Sequence, residues 1–303
     1  MNRRAWGLFG IVSLLWGVPY LFIAIAVDDG IPPAFLAWFR VLLGASILLP
    51  LAWHSGLLGS LRGKGRWVIA FAFAEIVIPF PLIAAGEQHV SSSIAAILIA
   101  ATPLMVAVLA IRFDPEERAA GSRLVGLFVG LAGVVFLVGI DVAGDSDELL
   151  GAGMILVAGF GYAVGPMLLK HKLGGVESLA SMSGALVVAS IALLPLAMAD
   201  LPERDALTTE AVVSLIVLGA VCTAAAFVAF GKLIAAVGPG RALVITYINP
   251  LVAVAAGMIV LGERPGPGAA VGLLLILAGS YLATGGRLRR KVTSPAASKV
   301  LPP

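Results

Sequence analysis

The chain consists of apolar blocks, each about twenty residues long, that follow one another with only short polar pieces between them. At ~1.5 Å per residue, a helix of that length crosses the ~30 Å hydrocarbon layer of a bilayer. Because backbone groups inside that layer meet no water, each block must satisfy its own hydrogen bonds as a helix. With 60% hydrophobic and only 12% charged residues, the sequence predicts an all-α integral membrane protein.

Ten such blocks can be delimited. The predicted membrane spans are Ala5–Val27, Ala34–Trp53, Trp67–Ala85, Ser91–Ile111, Ser122–Ile140, Leu150–Lys170, Leu179–Ala199, Ala211–Ala236, Arg241–Leu261 and Ala269–Gly285. The first block could be taken for a signal peptide, but it is longer than a signal h-region and is interrupted by Trp16, Pro19 and Tyr20. We therefore interpret it as the first membrane helix.

The basic residues predict the orientation of these helices. If the N-terminus is cytoplasmic, all of the 20 Lys and Arg residues except Arg40, Arg204 and Arg264 fall in cytoplasmic segments or at cytoplasmic helix ends. Membrane proteins keep an excess of positive charge on that side. The sequence therefore predicts a multi-pass protein of the cell (inner) membrane with both termini cytoplasmic. Residues 287–303, with their Ser, Ala and Pro, are predicted to be a disordered cytoplasmic tail.

Cysteine and histidine usage limits the chemistry. The single cysteine, Cys222, cannot form an intrachain disulfide, and the 3 histidines are too far apart in sequence for a zinc site. The basic residues lie in short loops without interleaved aromatics, so nucleic acid is not an expected partner. We expect no metal and no cofactor, and the expected partners are a small-molecule substrate and the lipid bilayer.

The second half of the chain repeats the first. Pro103 recurs 147 positions later as Pro250, and Glu116 recurs at the same spacing as Glu263. Leu-Ala-Gly occurs in both the fifth and the tenth span. The repeat unit contains five spans, an odd number, so the second copy must be inverted relative to the first.

The predicted domains are therefore two five-helix repeats, residues 5–140 and residues 150–286. Inverted repeats of this kind are typical of secondary transporters, in which the two copies surround a shared central site.

Short motifs at matching places carry a family resemblance. They are Leu15-Trp16-Gly17, Trp38-Phe39-Arg40, Thr102-Pro103-Leu104, Asn249-Pro250-Leu251 and Gly262-Glu263. With these motifs the chain resembles the EamA family of the drug/metabolite transporter superfamily. The first copy departs from the usual Gly-Glu by carrying Pro115-Glu116. The resemblance implies a ten-helix exporter or permease for amino acids, metabolites or drug-like compounds, without indicating which of them.

The function indicated is a secondary transporter that exports small metabolites by alternating access. An uncoupled, channel-like facilitator with the same fold is one alternative. A membrane-embedded lipid enzyme is a second alternative. Such enzymes usually have clustered carboxylates or histidines near an interface, whereas here Glu75 is isolated at the midplane and there is no Asp/His cluster, so we expect no enzymatic activity. Proton coupling and a homodimer are left open, since small-xxx-small patterns such as Gly126–Gly130 pack helices within a chain as readily as between chains.

Glu75 and Arg40 are the charged candidates inside the membrane. Glu75 stands near the middle of the third span, where a lipid-facing carboxylate is costly. It is expected to face the interior, as a proton acceptor or a contact for a substrate amine, with a structural hydrogen bond between helices as the alternative. We hypothesise an Arg40–Glu75 ion pair, the alternative being an Arg40 that reaches outward to headgroups or backbone carbonyls.

Aromatic residues are candidates for the walls of a central cavity. Trp16 and Tyr20 are four residues apart and share one helix face, and Tyr162 lies at the repeat position of Trp16. The three are predicted to line a cavity and to stack on a planar substrate, with ordinary helix packing as the alternative.

Prolines inside spans predict interrupted helices, because proline removes one backbone hydrogen bond and frees a carbonyl one turn earlier. The predicted breaks are Pro79, Pro103 and Pro250. Broken backbone at the membrane midplane is tolerated where it lines protein or water. The polar neighbours Thr102, Thr246 and Asn249 are therefore predicted to be cavity groups, the alternative being a kink whose side chains are already satisfied.

Overall fold

The structure is a computed structural model that describes residues 3–113, 121–238 and 242–283. Within these residues the chain forms helices and no strands. Nine of the described helices are long and apolar enough to cross a membrane, and a tenth apolar helix has 17 residues. The predicted fold of ten membrane helices in two inverted five-helix repeats is confirmed. The predicted tail 287–303, Glu116, the Arg241 start of the ninth span and the Gly285 end of the tenth lie outside the described residues.

The bounds of the helices agree with the predicted spans to within a few residues. The membrane helices are α1 (Arg3–Asp28), α2 (Pro33–His54), α3 (Gly65–Gly86), α4 (Ser92–Ala110), α5 (Ser122–Val142), α6 (Ser146–His171), α7 (Ser178–Ala199), α8 (Thr209–Val237), α9 (Val244–Leu261) and α10 (Pro267–Ala283). Short 3-10 helices, Leu57–Leu61 and Arg204–Ala206, lie in the α2–α3 and α7–α8 connections.

The two faces of the molecule differ in charge. We call the side with the loops after the odd-numbered helices the acidic face, because it carries most of the carboxylates, and the opposite side the basic face. Several helices that begin at the acidic face start with a capping side chain. Ser91, Asp145 and Thr208 each accept a hydrogen bond from the backbone N–H three residues on. These caps satisfy N–H groups that the first turn of a helix leaves unpaired.

Repeat symmetry is visible in the local backbone. The helices α2 and α7 each have 22 residues and contain a proline near the end, Pro50 and Pro195. The helices α3 and α8 each contain a π-helical segment, Phe73–Val77 and Val217–Ala225. Such a segment holds extra backbone within an α-helix and is frequent at functional sites.

Glycines bring α5 and α10 into close contact. A Cβ at Gly126 would lie 2.5 Å from the backbone nitrogen of Ala283, and a Cβ at Gly279 would overlap the backbone of Gly130. Small residues allow such close approach between membrane helices. The Gly126–Gly130 pattern is therefore used inside this chain.

The two repeats exchange helix caps. The Glu263 carboxylate, which follows α9, accepts hydrogen bonds from the backbone N–H groups of Ser92 and Ser93 at 2.9 and 3.1 Å, at the start of α4. The Asp141 carboxylate in α5 accepts from the backbone N–H groups of Gly268 and Ala269 at the start of α10. Each repeat therefore supplies a carboxylate that completes a helix of the other.

Candidate functional site

Two π-helical segments place polar side chains between the repeats. The segment in α3 carries Glu75, and the segment in α8 carries Thr223, which is fully buried. The Thr223 hydroxyl donates to the Leu218 carbonyl five residues earlier, at 2.8 Å, and accepts a hydrogen bond from Arg40. These residues lie at the interior of the bundle, where polar groups are costly unless they have partners or a function.

Arg40 is held on two sides. Its side chain is 9% exposed, its Nε donates to the Thr223 hydroxyl at 2.9 Å, and its guanidinium lies 4.1 Å from the centre of the Phe80 ring. A guanidinium over an aromatic face is stabilised by the charge distribution of the ring. The two terminal guanidinium nitrogens form no hydrogen bond with any residue that the structure describes. Arg40 is thus fixed in place with its terminal donors free.

The hypothesised Arg40–Glu75 ion pair is wrong for this conformation. Arg40 bonds to Thr223 on α8, whereas the Glu75 carboxylate lies against α6, where a Cβ at Gly165 would overlap its Oε2 atom. That oxygen is buried and has no hydrogen-bond partner. Tyr162, also on α6, lies close enough to both Arg40 and Glu75 to interact with their charges. The sequence places both residues within membrane spans but does not give the directions in which their side chains leave the helices.

The three aromatic candidates do not form one group. Trp16 packs against two rings of α8, with centroid distances of 5.4 Å to Phe227 and 4.7 Å to Phe230. The predicted partner of Trp16, Tyr162, packs in other parts of the core, and its electrostatic neighbour on α1 is Tyr20. Tyr20 and Tyr162 therefore lie beside Arg40, while Trp16 belongs to the α1–α8 contact.

At the helix breaks near Pro103 and Pro250, polar side chains bond to backbone carbonyls close by. The helix α4 is interrupted at Ala100 and Ala101, and the Thr102 hydroxyl donates to the Ile99 carbonyl at 2.7 Å. This is the carbonyl that loses its usual partner because Pro103 has no N–H. The Thr102 hydroxyl therefore replaces the hydrogen bond that the backbone loses at the kink.

The corresponding break in α9 lies at Ile248, before Pro250. With the side-chain amide of Asn249 oriented so that its nitrogen faces oxygen atoms, that nitrogen donates to the carbonyl of Ile245 at 2.9 Å and to that of Ser13 at 3.3 Å. Asn249 therefore joins α9 to α1, and Thr246 is half-buried beside it. Above Glu75, Pro79 begins the last part of α3, directly after the π-helical segment.

Glu87 is a further candidate residue, which lies between the predicted spans Trp67–Ala85 and Ser91–Ile111. It follows directly on the last residue of α3 and is 5% exposed. Its carboxylate lies beside the backbone N–H of Ala24 on α1 but forms no hydrogen bond of good geometry with a described residue. Burial raises the pKa of the Glu87 carboxyl well above its ordinary value, the Glu263 carboxylate adds to the rise, and Arg40 opposes it. The sequence contains one indication that Glu87 faces the same side as Phe80. The two residues are seven positions apart, which is two helical turns, and so they lie on the same face of the helix.

We use the name polar column for Glu75, Tyr162, Arg40, Tyr20 and Glu87. Each of these residues interacts electrostatically with at least one other member. The column contains carboxylates, phenols and one guanidinium, so it offers both acceptors and donors to a polar molecule. The part of the chain that the structure describes contains no group of three or more His, Cys, Asp or Glu side chains that could hold a metal ion.

Comparison with known proteins gives matches over nearly the whole chain. The family described as "EamA-like transporter family" matches residues 5–139 and 149–285. A protein of Archaeoglobus fulgidus named "Uncharacterized transporter" is 26% identical over 94% of this chain and 98% of its own length.

Two further relatives have more specific names. The "Probable amino-acid metabolite efflux pump" of Escherichia coli is 25% identical, over 96% of this chain and 98% of its own. The "Probable terminal-alkyne amino-acid exporter" of Streptantibioticus cattleyicolor is 28% identical, over 97% of this chain and 98% of its own. A protein of known crystal structure superposes with a TM-score of 0.64 at 20% identity, covering 94% of this chain and 98% of the other, which shows a shared fold.

Proposed function

We propose that this chain, which belongs to the EamA-like transporter family, exports small metabolites across the inner membrane of the cell by alternating access. Relatives that match nearly the whole chain are named as an amino-acid metabolite efflux pump and an amino-acid exporter, which supports export as the direction. The charge bias of the loops supports an orientation with both termini in the cytoplasm.

The observation that carries the proposal is the polar column at the interface of the two inverted repeats. Charged groups inside a membrane protein are costly, and those that persist mark substrate and ion pathways. Arg40 is buried with free donors, and Glu75 has a buried oxygen without a partner. A polar substrate that crosses the bilayer would supply the missing hydrogen bonds during its passage.

Equivalent contacts at the two faces support alternating access. At the acidic face the Thr208 hydroxyl, at the start of α8, donates to Asp29 in the α1–α2 connection at 2.6 Å. At the basic face Lys64, at the start of α3, donates through its Nζ atom to the carbonyl of Lys172 in the α6–α7 connection at 3.0 Å. These elements correspond under the repeat, so opening one contact while the other stays closed gives two related states.

Transport in proteoliposomes tests this proposal. Purified protein is reconstituted, and the uptake of labelled amino acids and other small metabolites is compared with that of empty liposomes and of the variant Arg40→Ala. We expect saturable flux that the variant loses. Equal flux through protein-containing and empty liposomes for every compound would contradict the proposal.

The same preparation separates a coupled transporter from a facilitator. We propose that Glu75 and Glu87 take part in proton coupling, so that an imposed pH gradient drives accumulation against the substrate gradient. A flux that equilibrates the substrate but never concentrates it, with or without the gradient, would identify an uncoupled facilitator. Oligomeric state, including a homodimer, follows from the mass of the purified protein in detergent.

A further inference from the structure

A groove on the outside of the bundle lies between α1, α2 and α8. Its volume is about 310 Å³, which is within the range of small-molecule sites. Residues of all three helices line it, and all of them are apolar except Lys232 of α8. Two lining residues, Ile11 of α1 and Ile47 of α2, are 51% and 41% exposed. The groove therefore opens sideways, toward the lipid that surrounds a membrane protein.

Small side chains of α8 form the floor of this groove. The helix α8 packs against both α1 and α2, and it contributes Ala224, Ala225 and Ala229 to the lining. An alanine side chain ends at Cβ, whereas the isoleucines of α1 and α2 extend farther from their helices. The surface is therefore lower along α8 than along its two neighbours, and the groove follows the axis of α8.

The length of the groove matches one leaflet of a bilayer. Its lining on α8 runs from Ala220 to Lys232, which covers about 18 Å at ~1.5 Å per residue. One leaflet is half of the ~30 Å hydrocarbon layer. An acyl chain of a phospholipid is apolar and extends through the same depth, so its shape and chemistry fit this surface.

Lys232 lies at the end of the groove that is nearer the basic face. The helix α8 has 29 residues, or about 43 Å, so each of its ends extends about 6 Å beyond the hydrocarbon layer. Lys232 lies about 8 Å before the Val237 end of α8. Its long side chain therefore carries the ammonium group to the level of the lipid headgroups.

Arg4 adds a second cation at the same end. Arg4, Leu8 and Ile11 are four and three residues apart, so they share one face of α1. Leu8 and Ile11 line the groove, and Arg4 follows them toward the basic face. Both cations are exposed, and neither has a hydrogen-bond or ion-pair partner among the residues that the structure describes.

Few other charges compete for an anion at this end. Within the described residues, Glu177 in the α6–α7 connection is the only carboxylate of the basic face, and it does not line the groove. The ring of His54, at the end of α2, is bonded through its Nδ1 atom to the Pro50 carbonyl at 2.7 Å. Basic pockets between membrane helices on one side of the bilayer bind anionic headgroups. Lys232 and Arg4 thus give the groove a selective end.

We propose that the groove between α1, α2 and α8 is a binding site for an anionic phospholipid of the leaflet at the basic face. One acyl chain lies along the alanines of α8, and the phosphate lies between Lys232 and Arg4. A lysine ammonium binds phosphate as a point charge, and an arginine guanidinium binds it with paired N–H groups. This inference goes beyond the proposed transport function and does not depend on it.

The test measures lipid binding to the purified full-length chain by native mass spectrometry, which resolves the protein with and without each bound lipid. Dioleoyl phosphatidylglycerol and dioleoyl phosphatidylcholine have the same acyl chains but differ in the charge of the headgroup. We expect the wild type to bind phosphatidylglycerol about 25-fold more tightly, because each of the two cations contributes about fivefold. Equal affinity for the two lipids would overturn the proposal.

Charge variants test the phosphate end. Lys232→Gln should lower the affinity for phosphatidylglycerol about fivefold, and the double variant with Arg4→Gln should bind the two lipids alike. Arg62→Gln removes an exposed cation of the α2–α3 connection, outside the groove, and should bind as the wild type does. Equal losses in Lys232→Gln and Arg62→Gln would assign the preference to the overall charge of the basic face and would rule out the site.

A second set of measurements tests the acyl-chain end. Ala225→Phe fills the groove, leaves both cations in place, and should lower the affinity for phosphatidylglycerol at least fivefold. Ala255→Phe adds the same ring at an exposed position of α9 that does not line the groove, and it should have no effect. Each variant is checked by its elution as a single species in detergent.

The wild type provides the same test without a substitution. Dihexanoyl phosphatidylglycerol has the anionic headgroup but short chains, so it should bind at least tenfold more weakly than the dioleoyl lipid, because each buried CH₂ group adds to the affinity. If the short-chain lipid binds as tightly as the long-chain lipid, or if Ala225→Phe binds as the wild type does, the groove does not hold an acyl chain and the proposal is wrong.

Discussion

The two repeats share a backbone plan but differ in the charges they carry. In the register set by Pro50 and Pro195, Arg40 of α2 corresponds to Ala185 of α7, which is fully buried. In the 147-residue register set by Pro103 and Pro250, Glu75 corresponds to Cys222, and Glu87 corresponds to Ile234. The first repeat therefore provides the charged groups of the polar column, and the second replaces each of them with a neutral residue.

The difference between the repeats allows the backbone requirements of switching to be distinguished from the charge requirements of substrate binding. The proposed switching between two related states would need matching backbones, and both repeats contain a π-helical segment, corresponding prolines and corresponding contacts at the two faces. Binding one asymmetric molecule needs an uneven set of charges, which the first repeat supplies with the help of Thr223 from the second. Substitutions at symmetry-related positions should therefore have similar effects where the residues pack the two repeats and different effects where they bind substrate.

The largest effect is expected where the repeats are alike. Gly133 and Gly279 are counterparts in α5 and α10, and at both positions a Cβ would collide with backbone atoms of the opposite helix. We expect Gly133→Val and Gly279→Val each to lower the stability by about 3 kcal/mol, because backbone atoms cannot move aside cheaply. Thermal unfolding in detergent measures this. Gly153→Ala, at a position with open space, is the control and should leave stability unchanged.

The second-largest effect is expected at Arg40, and substitution of its counterpart Ala185 should have a much smaller one. Arg40→Ala removes the free guanidinium donors that are proposed to bind the substrate. A hydrogen bond to a charged group is worth about 1.5–3 kcal/mol, so we expect the transport rate to fall about 100-fold. Ala185→Ser should reduce the rate less than twofold. The measurement is initial flux in proteoliposomes at equal protein content. Equal losses in the two variants would indicate that the site uses both repeats evenly.

A smaller effect is expected at Glu75 and Cys222. Glu75→Gln keeps the shape of the side chain but cannot carry an exchangeable carboxyl proton. We expect it to remove the response of transport to an imposed pH gradient and to leave exchange of substrate across the membrane within about tenfold of wild type. Cys222→Ala should retain the response. An unchanged response in Glu75→Gln would exclude this residue from proton coupling.

The smallest effect concerns the pH dependence of stability at Glu87. Its pKa is raised by burial in the folded protein, so the folded state binds a proton more tightly than the unfolded state does. Stability should therefore fall as the pH rises from the ordinary Glu pKa of about 4.3 toward the raised value, by at most ~1.4 kcal/mol per pH unit. Below that window the effect should be absent.

The measurement for Glu87 is the difference in unfolding temperature between wild type and Glu87→Gln as a function of pH. The wild type should lose a few degrees relative to the variant on going from acid to neutral pH. Parallel curves for wild type and Glu87→Gln would show that the carboxyl does not titrate differently in the folded state.

The architecture could be predicted from sequence patterns because the bilayer fixes the length of every span and requires each span to pair its own backbone groups as a helix. The odd number of spans in the repeat then required the inversion. The spans Ala34–Trp53 and Leu179–Ala199 differ from α2 and α7 by one residue at the ends, which is within the usual fraying of helix termini.

The site was harder to predict because its contacts depend on side-chain direction. The π-helical segments in α3 and α8 add backbone that changes which face each later residue occupies, so a 3.6-residue period cannot be carried across them. The Arg40–Glu75 pair failed because the sequence does not show that Glu75 leaves α3 toward α6 while Arg40 reaches α8. Glu87 was missed because it lies between the predicted spans Trp67–Ala85 and Ser91–Ile111, whereas packing around the end of α3 buries it.

The exchange of helix caps has a consequence for how such a chain can arise. Glu263 completes a helix of the first half, and Asp141 completes a helix of the second, so each half depends on the other for one of its helix ends. The same exchange would serve two separate five-helix polypeptides assembled head to tail. A gene fusion would then inherit a working interface, and each copy would afterwards be free to change its own polar residues.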